Sequence, residues 1–104
     1  MFAPYEIEIT QKINAIEGLK SQLLMDVAHL YTYMAENKGV SKEKYIDLFT
    51  DLVIITYLLS KQMGTDYELL NREIIKKLKY TLIEDSNKEN WAADLKELLT
   101  HFSM

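Results

Sequence analysis

Four polar side chains, Gln22, Asp26, His29 and Tyr33, follow one another at spacings of four, three and four residues. In a helix that spacing lines them up along one strip, and it makes Asp26 and His29 neighbours able to bind a divalent metal. The plainer alternative is a solvated polar strip beside an apolar stripe, and spacing alone favours it. Asp51 lies in LFTDLVII, at the mouth of the most apolar run in the chain. A carboxylate there is costly unless it is hydrogen-bonded, paired or bound to a cation; otherwise it faces solvent or meets a lysine of a neighbouring helix. Arg72 and Lys76, with Lys77 beside them, sit one helical turn apart. They could face phosphates, or form a cationic surface suited to the C-terminal half of a helix. No phosphate loop, dinucleotide fingerprint or nucleophile elbow is present. His29 and His101 fall on different segments, and the absence of cysteine removes thiolate chemistry. Any site must therefore be built from side chains projecting off helices.

Helices are what the chain is predicted to form. Three glycines and one proline in 104 residues are too few for the turns of a strand-rich domain. Residues 1–10 read as a lead-in arm, because Pro4 is out of place inside a helix and Ile7 and Ile9 alternate with Glu6 and Glu8. A first helix is expected over about Thr10–Asn37, with Gly18 as a kink point. Its stripe is Ile13, Ile16, Leu19, Leu23, Val27, Leu30 and Met34, and Gly39 stands where a left-handed cap belongs. A second helix is expected from an N-cap at Ser41 to about Met63, closed by Gly64. Its LVIITYLL is apolar around most of its circumference and must be covered on several sides, by the rest of the bundle and by a subunit partner.

A third helix should open on the capping box Thr65-Asp66-Tyr67-Glu68, with Leu69, Leu70, Ile74, Ile75 and Leu78 as its apolar side. A fourth should open on Ser86-Asn87-Lys88-Glu89 and carry Trp91, Leu95, Leu98 and Phe102, with Ile83-Glu84-Asp85 as the intervening loop. Short connections favour antiparallel neighbours, giving an all-α fold: a bundle of about four helices in a single domain over residues 1–104, with its core over about 11–102.

The 48% hydrophobic and 27% charged content is that of a globular domain, not a disordered chain. The apolar run from Leu52 to Leu59 is far short of a membrane span, and the opening residues do not read as a secretory signal. The expectation is a cytoplasmic protein with no membrane partner. A net charge of −4 argues against a nucleic-acid partner, whose affinity would rest on phosphate neutralisation.

The segment YIDLFTDLVIITYLLSKQMGTDYELLNREIIKKLKY resembles the second half of MazG-like proteins, of the all-α nucleoside triphosphate pyrophosphatases. Asp51 leads into the apolar helix, Met63-Gly64-Thr65-Asp66 stands at the family's turn, and Ile75-Lys76-Lys77-Leu78 at the end of the helix that follows. LLMDVAHLYTYMAENKG has the cadence of the family's first helix, and the tail with Trp91, Asp94, Leu95 and Leu98 looks like a short subgroup. The resemblance covers roughly residues 19–102. It implies cleavage of nucleoside triphosphates to monophosphate and pyrophosphate, with Mg2+ or Mn2+ as cofactor, in a homodimer or homotetramer. The family's acidic signature is E-E-x-x-E on one helix and E-x-x-D on the next. Met25, Asp26 and His29 fall on the first motif, and Leu48 and Asp51 on the second, with Asp47 one place off. The metal set implied is Asp26, His29 and Asp51, with Asp47 as a further candidate, and Arg72 and Lys76 would steady phosphates. Because the acidic set is depleted, two functions stay open: a divergent pyrophosphohydrolase, or a non-catalytic helical module that binds a nucleotide or a protein.

Overall fold

The computed structural model describes residues 4–36, 39–84 and 88–103. The chain is all-α: α1 is Pro4–Ala35, α2 Lys42–Gln62, α3 Tyr67–Glu84 and α4 Lys88–Ser103, with no strand among the described residues. It divides into two compact units, Met1–Gly64 and Thr65–Met104.

The first unit is the hairpin of α1 on α2. α1 begins at Pro4, so residues 4–10 belong to the helix and not to a lead-in arm. Proline suits the first helical position, where its missing N–H has no intrahelical acceptor to lose, and Glu6 then faces the positive end of the helix dipole. The helix runs through Gly18 without a break and ends at Ala35; the expected end at Asn37 lies outside the described residues. Gly39 follows with φ +93°. At Ser41 the expected cap forms, its hydroxyl accepting from the backbone N–H of Lys44 at 3.3 Å. Gly64, φ +94°, closes α2 by donating its N–H to the Lys61 carbonyl at 3.1 Å.

On α1 Glu6 is half-buried near the start, and from Ile16 onward the half-buried or buried positions are Ile16, Leu19, Leu23, Asp26, Leu30 and Tyr33. The steps are three, four, three, four, three, the alternation of a coiled-coil seam. The expected stripe is therefore displaced at two places: Asp26 takes the seam position in place of Val27, and Tyr33 in place of Met34. α2 answers with Tyr45, Leu48, Leu52, Ile55, Leu59 and Gln62, in the same alternation. Tyr33 meets Tyr45 across the hairpin, ring centroids 5.8 Å apart. That contact sets the register. In an antiparallel pair each step back along α1 matches a step forward along α2, so Leu30 is level with Leu48, Asp26 with Leu52, Leu23 with Ile55, Leu19 with Leu59 and Ile16 with Gln62. Leu48 and Ile55 are the buried apolar residues, 5% and 6% exposed.

The rest of the apolar run on α2 is not covered by α1. Val53 and Ile54 are 57% and 50% exposed, and with Ile46, Phe49 and Thr50 they line a groove on the side of α2 away from the seam.

The second unit is α3 on α4. Its opening cap is one residue later than the sequence suggested: Asp66, not Thr65, is the capping side chain, its Oδ1 accepting from the Leu69 N–H at 2.7 Å. α3 continues through Glu84, so Ile83 and Glu84 are helical, and Asp85 and the Ser86 start of the second capping box lie outside the described residues. On α3, Leu70, Ile74, Ile75, Leu78 and Leu82 are half-buried, while Leu69 is exposed. On α4 the covered positions are Ala92, Leu95, Leu99 and Phe102; Trp91 and Leu98 are exposed. The stripe on α4 is thus rotated toward Ala92 and Leu99.

Two glycines should respond in opposite directions. Gly64→Ala forces a left-handed backbone on a residue with a Cβ and should lower stability by about 1–2 kcal/mol. Gly18→Ala replaces an exposed mid-helix glycine with open space around its Cβ, and should raise stability by about 0.5–1 kcal/mol. Urea unfolding at one fixed protein concentration checks both.

Candidate functional site

Asp26 is the one buried charged side chain among the described residues, 3% exposed at its seam position. Gln22, one turn earlier, donates from Nε2 to Asp26 Oδ1 at 2.9 Å. The other oxygen, Oδ2, is buried with no hydrogen-bond partner. A buried acceptor left so costs about 1–3 kcal/mol. Of the strip Gln22–Asp26–His29–Tyr33, then, Asp26 is buried and Tyr33 half-buried, while Gln22 and His29 are exposed.

Asp51 adjoins Leu52, the residue level with Asp26 across the hairpin. It follows Leu48 by three and precedes Ile55 by four, so it stands at the edge of the face that packs on α1. Asp51 and Asp47 are both exposed. Neither has an ion-pair or hydrogen-bond partner through its side chain among the described residues. Leu48, which the resemblance sets against an acidic position, is core. Among the described residues no group of three or more His, Asp or Glu side chains is placed to hold a metal ion.

An aromatic chain crosses the hairpin beside this region. His29 stacks on Tyr33 with centroids 6.4 Å apart and planes at 11°, Tyr33 meets Tyr45 edge-on, and Tyr45 stacks on Phe49 at 6.2 Å. Tyr45 and Phe49 are the residues that sequence reasoning passed over. Their four-residue spacing, repeated in His29 and Tyr33, was the available signal.

A model of the MazG-like family matches residues 9–95. The chain belongs to the MazG-like family. No curated protein and no solved structure matches it. Membership brings a nucleotide pyrophosphatase-type fold, and the residues that the resemblance sets against the acidic signature lie on the first hairpin, Asp26 and His29 on α1 and Asp51 on α2.

The cationic candidates belong to the second unit of this MazG-like chain. Arg72, Lys76 and Lys77 are exposed on α3, and Lys76 and Lys77 line a shallow depression with Glu73 and Tyr80. Glu73 tempers the positive charge there. On α4, Asp94, Glu97, Leu98 and His101 line another depression. Among the described residues no helix is long and apolar enough to cross a membrane.

The aromatic chain should couple the two helices energetically. A double-mutant cycle of Tyr33→Leu and Tyr45→Leu, read by urea unfolding, should give a coupling of about 0.5–1.5 kcal/mol beyond the single costs.

Proposed function

We propose that this chain is a divergent MazG-like nucleotide-binding protein, homo-oligomeric, in which pyrophosphohydrolysis is slow or lost. The observation that carries the reading is the orphaned Oδ2 of Asp26, a buried carboxylate oxygen held in place by Gln22 on its other side. An oxygen of that kind fits one ligand of a hard divalent cation. Asp51, next to the level of Asp26 on the facing helix, is the second candidate ligand; His29 is the third and would favour Mn2+ over Mg2+. Asp47 is a further acidic candidate on the same helix as Asp51. A bound cation would supply charge neutralisation for a triphosphate and a more acidic water. Asp26 would anchor it; Arg72 and Lys76, which belong to the second unit, are separate candidates for pairing with phosphate oxygens.

The donor set of one chain is thin beside the family signature. Met25 and Leu48 occupy places where carboxylates are expected, and Leu48 is committed to packing. Fewer acidic ligands mean weaker cation affinity, so fold retention with attenuated chemistry is the reading the residues support. The oligomer rests on a separate observation: the exposed groove of Ile46, Phe49, Val53 and Ile54 is an apolar face that a second copy would cover. The cysteine-free composition suits a reducing cytoplasm. A second reading, a non-catalytic module that docks a protein, is favoured by that same face.

Pyrophosphate release over a panel of nucleoside triphosphates, with Mg2+ and with Mn2+, tests the chemistry. Expected is slow or no turnover together with a nucleotide- and Mn2+-dependent rise in melting temperature that Asp26→Asn abolishes and Asp51→Asn reduces. No nucleotide response in wild-type protein would leave the docking module as the surviving reading. In sedimentation at micromolar concentration the wild type should run as a dimer or tetramer and Val53→Asp as a smaller species. A wild-type monomer would refute the assembly.

A further inference from the structure

The register that aligns the seam also says where it stops. Gln62, the last residue of α2, is level with Ile16 on α1. The twelve residues from Pro4 to Ala15 therefore run past the end of α2, an extension of about 18 Å at the helical rise. Burial agrees along the apolar stripe, where Ile16 is half-buried and Tyr5, Ile9 and Ile13 are exposed; Glu6, off the stripe, is half-buried. Those three and Ile16 follow at four, four and three residues, a continuous apolar stripe along one side of the extension. Glu8 and Lys12 flank the stripe on the same side, four residues apart, and both are exposed. Neither has an ion-pair partner among the described residues.

We infer that this extension is a pairing arm that joins to the same arm of a second copy, antiparallel. The charges choose the occupant. When two identical helices pair antiparallel, each flank meets the same flank running the other way, so Glu8 of one copy faces Lys12 of the other, twice per pair. Ile9 sits near the centre, and Tyr5 of each copy falls toward Ile13 of the other. The stripe and its flank are thus complementary to themselves. Residues 4–8, with Tyr5 and Glu8, lie outside the stretch that matches the family, whereas Ile9, Lys12 and Ile13 lie inside it. A stable interface takes about 800 Å2 from each partner, more than three or four side chains on a single helix provide. The arm therefore acts in addition to the α2 face, converting dimers into tetramers by adding a contact between chains already held together.

Sedimentation velocity on the full chain tests this with variants on surface positions. The expected result is a wild-type tetramer that Ile9→Asp reduces to a dimer with unchanged helical circular dichroism. Glu8→Lys alone and Lys12→Glu alone should each do the same, because each sets like charges against one another. The double variant Glu8→Lys with Lys12→Glu should restore the tetramer. A wild-type dimer that Ile9→Asp leaves intact and Val53→Asp dissociates overturns the arm contact while leaving the α2 interface standing. A dimer that only Ile9→Asp dissociates overturns the arrangement of arm added to α2 face, because the arm would then suffice alone. Ile9→Asp lowering the melting temperature at unchanged mass places the stripe inside the chain's own fold and overturns the pairing.

Discussion

A carboxylate at a seam position constrains everything else in the first hairpin. Asp26 occupies a place where the alternation of Ile16, Leu19, Leu23, Leu30 and Tyr33 calls for an apolar side chain. Packing leucine there would strengthen the hairpin; a charged group weakens it unless something compensates. Gln22 compensates one oxygen and leaves the other. The seam tolerates this because the layers on either side are apolar and closed, Leu23 with Ile55 and Leu30 with Leu48, while Tyr33 and Tyr45 clamp the end near the turn. The geometry thus holds a polar group in a position that stability alone would not select.

The same hairpin divides its apolar surface between two tasks. One side of α2 closes the seam, and the other carries Ile46, Phe49, Val53 and Ile54 into the open. No single neighbouring helix can serve both sides, since they face away from each other. The exposed side and the orphaned oxygen are separate consequences of one arrangement, a two-helix layer with a polar group inside it and an apolar back outside it.

Much of this was legible in the residues. The two left-handed glycines, the Ser41 cap and the run of α2 from Ser41 to Gly64 follow from local chemistry that tertiary packing does not override. The positions that shifted did so for physical reasons. Thr65 and Asp66 can both cap a helix, and Asp66, the stronger acceptor, took the role one residue later. Pro4 signals a break inside a helix but a start at its first position, and only its neighbours' conformation tells these apart. Val27 and Asp26 both continue a helical stripe, and hydrophobicity favoured Val27. The strict three-four alternation, which the facing helix shares, selects Asp26. Whether carboxylates on two helices meet was not legible at all, because one helix's spacing carries no information about the register of the next.

That register has a kinetic consequence. The level pairs of the seam enclose loops that lengthen away from the turn, from the short one closed by Tyr33 and Tyr45 to the long one closed by Ile16 and Gln62. Closing a short loop costs less entropy than closing a long one, so the hairpin zips from the aromatic clamp outward. Leu30 and Leu48 form the next layer, and the carboxylate is reached only after both are in place. Evolution could therefore erode or rebuild the acidic positions without touching the part of the chain that folds first, and the penalty of a bad substitution there would fall on how fast the hairpin opens rather than on how fast it forms.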